Sequence, residues 1–117
     1  MRTSLLETFP NPRPGRDYDV ALHCLEFTSL SQTGDLPEFA EIRISYAPDA
    51  HCIERKSLKY YLGEFRSTVL TREEVARRIL DDLAALVQPR RMTVTAFFHT
   101  SGDQHSVTAD YRSPSVP

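Results

Sequence analysis

The chain of 117 residues has no tryptophan, only four glycines and two cysteines, and a formal net charge of −2. Each shortage excludes something. Cys24 and Cys52 are too few for a disulfide framework, and they have neither CxxC spacing nor a histidine cluster, so no metal site is expected. They suggest reduced thiols and a cytoplasmic location. The slightly acidic balance leaves no basic footprint, so direct nucleic-acid binding is not expected. No apolar run approaches the ~20 residues of a membrane span, and the start MRTSLLETF is too polar for a signal peptide. A membrane partner is not expected either. The hydrophobic content of 40% and charged content of 26% are ordinary for a globular domain, and the length allows one.

What is present is periodicity. Residues 1–16 contain Pro10, Pro12 and Pro14 and are expected as an extended arm. A strand follows through DYDVALHCLEFTSL. Tyr18, Val20, Leu22 and Cys24 fall on one face, and Ala21, His23, Leu25 and Phe27 on the other. EFAEIRISY alternates Ile42, Ile44 and Tyr46 against Glu41, Arg43 and Ser45, which predicts an antiparallel hairpin with the first strand. From Glu54 the period changes. Leu58, Tyr61, Leu62 and Phe65 are three and four apart, the spacing of an amphipathic helix ending near Ser67. Thr71 opens a second helix as TREE, a capping-box pattern, with Val75, Ile79, Leu83 and Leu86 as its apolar stripe and Pro89 as its stop. Two more strands, RRMTVTAFFHT and QHSVTADYR, are joined through SGDQ, and the tail 113–117 is expected to fray.

The reading is an α+β domain over residues 17–112 in the order ββααββ, a four-stranded antiparallel sheet with two helices on one face. The other face would carry His23, Leu25, Phe27, Arg43, Thr93, Phe97 and His99 with no element to cover it. Such a face, with two open sheet edges, predicts assembly into a closed homo-oligomer with ligand sites where subunits meet.

Several stretches carry a resemblance: LETFPN at 6–11, RDYDV at 16–20, EFTSL at 26–30, PEFA at 37–40, ISYAPD at 44–49 and ERKSLKYYLGEFR at 54–66. In this order, and with two helices between the strand pairs, they resemble the QueF family of nitrile reductases. That family reduces 7-cyano-7-deazaguanine to 7-aminomethyl-7-deazaguanine with NADPH, in queuosine biosynthesis for tRNA. The resemblance implies the tunnelling fold, in which ββααββ units assemble into barrels. ERKSLKYY is close to the family's cofactor-binding signature E-S-K-S-x-K-x-Y/F. Glu54, Lys56, Ser57 and Lys59 match it, which implies NADPH as cofactor, and Arg55 replaces a small residue. Lys56 and Lys59 lie three apart on one helix face, which suits phosphate and equally suits a solvated surface.

The departures fall on the chemistry. Where the family has a nucleophilic cysteine and a proline after EFTSL, this chain has Ser31 and Gln32. A thiol is a few per cent ionised near neutral pH and strongly nucleophilic, whereas a serine hydroxyl needs a base. Glu38 stands at the position of the family's aspartate acid, and Arg72 at that of its histidine. Arg72 at a helix start invites an anionic partner, a substrate phosphate or Glu38. Glu73 matches the family's substrate-binding glutamate. Its carboxylate could accept two N–H bonds from the edge of a deazaguanine- or purine-like ring. The resemblance thus implies a deazaguanine-binding protein with impaired thioimide chemistry. Two alternatives stay open: a divergent enzyme with another reaction on a purine- or pterin-like substrate, and a non-catalytic binding subunit.

Overall fold

The computed structural model describes residues 2–99 and 102–114. In chain order the elements are β1 (Thr8–Pro10), β2 (Val20–Leu30), β3 (Pro37–Ala47), β4 (His51–Ile53), α1 (Arg55–Gly63), α2 (Arg72–Val87), β5 (Arg91–Phe98) and β6 (His105–Arg112). Single 3-10 turns precede β1 at Thr3–Leu5 and extend α1 at Glu64–Ser67. β2, β3, β5 and β6 form one antiparallel sheet in that spatial order, so β2 and β6 are its edges. This is the α+β ββααββ architecture that the periodicities predict.

Strand alternation builds the core. Ile42, Ile44 and Tyr46 of β3 and Met92, Val94, Ala96 and Phe98 of β5 are buried beneath the helices. From α2 come Val75, Ile79, Leu80 and Leu83, each no more than 1% exposed; from α1 and its 3-10 extension come Leu58, Tyr61 and Phe65. Phe65 packs its ring 5.2 Å from Phe27 and 5.5 Å from Tyr61, geometries that aromatic pairs favour. Tyr61 donates to Asp82 at 2.5 Å, and burial, followed by that carboxylate, pushes its phenol pKa up.

Both helix starts are capped by side chains. Glu54 accepts from the Lys56 and Ser57 amides at 2.9 and 2.7 Å. Thr71 and Glu74 complete the capping box that TREE predicts. α2 ends at Gln88, which takes the left-handed conformation (φ 47°) just before Pro89.

The structure corrects two expectations, the facing of Phe27 and the start of the first strand. Phe27 does not face outward; it is 4% exposed and lies in the core. The reason is a β-bulge: Cys24 pairs with Ile42 but Phe27 with Ala40, so one extra residue on β2 reverses the alternation beyond Leu25 and Glu26. The segment expected as an extended arm packs against the rest of the chain over its described residues. β1 pairs with β4 in a second, two-stranded sheet, Leu6 is buried, and the Glu7 amide donates to Ser57 Oγ at 3.0 Å. The first strand begins at Val20 rather than Asp17, and beyond the last strand the Ser113 amide donates to the Arg90 carbonyl. Met1 of the arm, Thr100 at the end of the expected strand RRMTVTAFFHT, Ser101 of the SGDQ turn and residues 115–117 of the tail lie outside the described residues.

The sheet face away from the helices carries a polar ladder. Thr93 donates to Asp110 at 2.7 Å, Thr95 meets Thr108 at 3.1 Å, and Arg43 lies 4.4 Å over the Phe97 ring. Leu25 at 67% and Phe39 at 47% are large apolar side chains left open near β2's end of the sheet.

Candidate functional site

The antiparallel order brings the end of β2, the start of β3, the end of β5 and the start of β6 to one end of the molecule. The segment before α2 is tied there as well. Leu30 bridges Val69, the Leu30 amide donates to the Thr68 carbonyl, and the Leu70 amide donates to the Leu30 carbonyl. Ser31 and Glu38 therefore share that end with Arg72 and Glu73, which are far from them in sequence.

Arg72 is its centre. The first helical residue of α2, it donates through Nη2 to Glu38 Oε2 at 2.9 Å, and both side chains are less than a fifth exposed. Its Nη1 lies 3.1 Å from His105 Nδ1 and 3.7 Å from an Asp103 carboxylate oxygen. Its guanidinium carbon sits 5.3 Å from the centre of the Phe98 ring. The hydrogen bond to Glu38 is the main reason its pKa is raised above the usual arginine value. So Arg72 takes Glu38 as its anion. The Glu38 oxygen facing it accepts a charge-assisted bond.

Glu73 is the next residue on the helix and takes no part in the cap, which belongs to Thr71 and Glu74. Its carboxylate is 68% exposed and stands 3.7 Å from His105 Nε2. His105 is the residue that sequence reasoning missed. Its only sequence signal is its place at the start of an edge strand, and its charged neighbours Arg72 and Glu73 lie more than thirty positions away.

Ser31 occupies a tight hairpin loop. Its amide donates to Leu36 O at 2.8 Å, and its carbonyl accepts from Gly34, whose φ of 81° favours glycine. Among the described residues the polar groups around Ser31 Oγ are Thr33 at 3.0 Å, Asp35 at 3.5 Å and the Leu36 amide at 3.4 Å. No imidazole is among them. The Thr33 hydroxyl bonds Asp35 and holds its carboxyl below the usual range, so Asp35 is a poor base for Ser31.

The four residues of the cofactor-type signature do not join this cluster; they start α1, and they divide into two kinds. Glu54 caps the helix. Ser57 is buried, donates to the Glu54 carbonyl and accepts from Glu7, so it serves the fold. Lys56 and Lys59 are exposed. Lys59 lines a groove of about 540 Å³ between α1 and the bulged stretch of β2, with His23, Cys24, Glu26 and Arg66. Arg66 is a second cation in that groove which sequence reasoning did not single out. Cys24 lies half-buried there, and burial pushes its thiol pKa up, against a smaller pull from Lys59. Cys24 is therefore not placed as a ready thiolate. Cys52 is buried in β4. No three His, Cys, Asp or Glu side chains among the described residues converge as metal ligands would, and no helix among them is long and apolar enough to cross a membrane.

Comparisons with known proteins bear on the family and the fold. A family model described as QueF-like protein matches residues 37–115. The chain is 44% identical over 110 residues to the NADPH-dependent 7-cyano-7-deazaguanine reductase of Alkalilimnicola ehrlichii, covering 93% of this chain and 85% of that one. It is also 44% identical to the enzyme of the same name from Chlorobaculum tepidum, over 95% of this chain and 96% of the other. In three dimensions it resembles the crystal structure of the archaeosine synthase QueF-Like in the apo form, with a TM-score of 0.74 and 23% identity, covering 85% of this chain and 96% of that one. That last likeness speaks to the fold.

Proposed function

This chain belongs to the QueF-like family, and from that premise we propose that it binds a deazaguanine- or purine-like heterocycle at Glu73 and does not reduce a nitrile through a thioimide. One observation carries the reading. The anchoring carboxylate at the start of α2 is open, while the groups that would make and break bonds are either replaced or already engaged. Ser31 has a hydroxyl where the chemistry needs a thiol, and its neighbours are Thr33 and Asp35. Glu38, at the acid position, is paired with Arg72. An ionised carboxylate presents two acceptor oxygens, and the ring N–H and exocyclic amino group of a guanine-like edge present two donors at matching spacing.

The relatives' names include NADPH. In this chain the residues suited to such a cofactor are Lys59 and Arg66, two cations on one groove that could hold its phosphates. Bound there, NADPH would supply a hydride. The chain's own contribution would be charge and position, with Glu54 and Ser57 fixing the start of the helix that carries Lys59.

The open sheet face and the two free edges support a homo-oligomer whose subunits complete each other's sites. Light scattering at micromolar concentration is expected to give a multiple of the 13.3 kDa chain mass. A monomer would remove the interface part of the reading.

Incubation with 7-cyano-7-deazaguanine and NADPH tests the rest. The expected result is binding without a covalent adduct by intact mass, and NADPH oxidation slower than an ordinary ~10 s⁻¹ by several orders of magnitude. An adduct on Ser31, Cys24 or Cys52, or turnover at an ordinary rate, would overturn it.

A further inference from the structure

His105 meets two charged side chains with its two ring nitrogens, and the two contacts differ in kind. Nδ1 is 3.1 Å from Arg72 Nη1. A guanidinium can only donate, so Nδ1 accepts, and the proton of the neutral imidazole must sit on Nε2. Nε2 is 3.7 Å from the nearer Glu73 oxygen, too far for a direct hydrogen bond. The result is an N–H donor and a carboxylate acceptor standing side by side, each with unused capacity. The ring is held from a third side by Phe98, with centroids 6.5 Å apart and planes tilted by 45°. It is 40% exposed, open enough for a ligand to reach.

A donor beside an acceptor selects its complement, an acceptor beside a donor. The carbonyl and neighbouring N–H of a cyclic lactam are such a pair, and the six-membered ring of guanine-like bases carries one. We propose that His105 is a specificity-determining residue: its Nε2–H donates to the ring carbonyl of the heterocycle whose adjacent N–H and amino group are accepted by Glu73. The inference rests on the reading of Glu73 as the ligand anchor and deepens it. Arg72 is then a positioning residue, because it fixes the imidazole tautomer without touching the ligand. The cluster would recognise three consecutive groups on one edge of the base, and the class of ligand narrows to 2-amino lactams.

Guanine and 6-thioguanine separate the two contacts, since the second keeps the N1–H and the 2-amino group but offers sulfur, a weak acceptor, in place of the carbonyl oxygen. Calorimetry on the full chain is expected to show guanine bound about fivefold more tightly, the worth of one neutral hydrogen bond. His105→Phe, which keeps the aromatic contact with Phe98 and removes the N–H, brings that ratio close to one. His105→Gln, which restores an N–H donor, recovers part of it. Glu73→Gln weakens both ligands alike and preserves the ratio. If His105→Phe keeps the parent's ratio, the assignment of His105 is wrong while the anchor stands. If the parent binds neither ligand, the anchor reading fails and takes this assignment with it.

Discussion

Glu54 and Glu73 are both glutamates at the start of a helix, and their carboxylates have different occupations. Glu54 precedes α1 and is engaged by the chain's own backbone, accepting from the Lys56 and Ser57 amides. Glu73 lies in the first turn of α2, where Thr71 and Glu74 form the cap between themselves, and its own carboxylate takes no part in it. Ser31 belongs with Glu54: its Oγ sits among Thr33, Asp35 and the Leu36 amide. His105 belongs with Glu73. The difference teaches that binding capacity in this protein is what remains after caps and turns have taken their share of polar groups.

The largest effect that could break this comparison is chemical. Ser31→Cys places a thiol, a few per cent ionised near neutral pH, on the hairpin loop. Intact mass is expected to show an adduct with 7-cyano-7-deazaguanine in this variant and none in the parent. Reductase turnover should stay absent in the variant, because Arg72 still holds Glu38. Recovery of ordinary turnover would show that the serine alone silences the site.

A smaller effect separates capping from binding. Thr71→Ala removes the α2 cap and is expected to cost about 1 kcal/mol, lowering Tm by roughly 4 °C, with little change in ligand affinity. Glu73→Gln should do the reverse. If the Thr71 variant loses affinity as strongly as the Glu73 variant, the carboxylate is not separable from its helix.

The smallest effect is a pH slope. Amide hydrogen bonds from Lys56 and Ser57 hold the Glu54 carboxyl below its ordinary value, and those from Thr71 do the same for Glu74. A carboxyl depressed in the folded state contributes stability that is present above its unfolded pKa of about 4.3 and is lost as pH falls through the depressed value. Chemical denaturation should therefore show stability declining on acidification below about pH 4.3. Glu54→Gln, which caps without a charge, should make that decline shallower. An unchanged acid limb would show that Glu54 is not the cap it is drawn as.

Much of the fold was legible because its signals are local. Alternation announces the four long strands, the three-and-four spacing announces α1, and TREE announces the capping box. Phe27 was misplaced because a bulge is a two-strand event: the phase of β2 changes only against its pairing with β3. β1 and β4 are three residues each, too short for any period to show. The site was legible only where the family pattern marked residues. Arg72 and Glu38 could be named singly, and their pairing raised as one option, but the ion pair itself comes from the strand order. His105 had only its place at the start of an edge strand as a signal, because the arginine it meets lies thirty-three positions away.

The central claim is that recognition survives at Glu73 while bond-making does not. Calorimetric titration of a guanine-like heterocycle with a free N1–H and 2-amino group, into the parent and into Glu73→Gln, tests it most directly. Removing one charge-assisted partner is expected to weaken binding by about 10- to 150-fold while the oligomer stays intact. Equal binding by parent and variant would contradict the account.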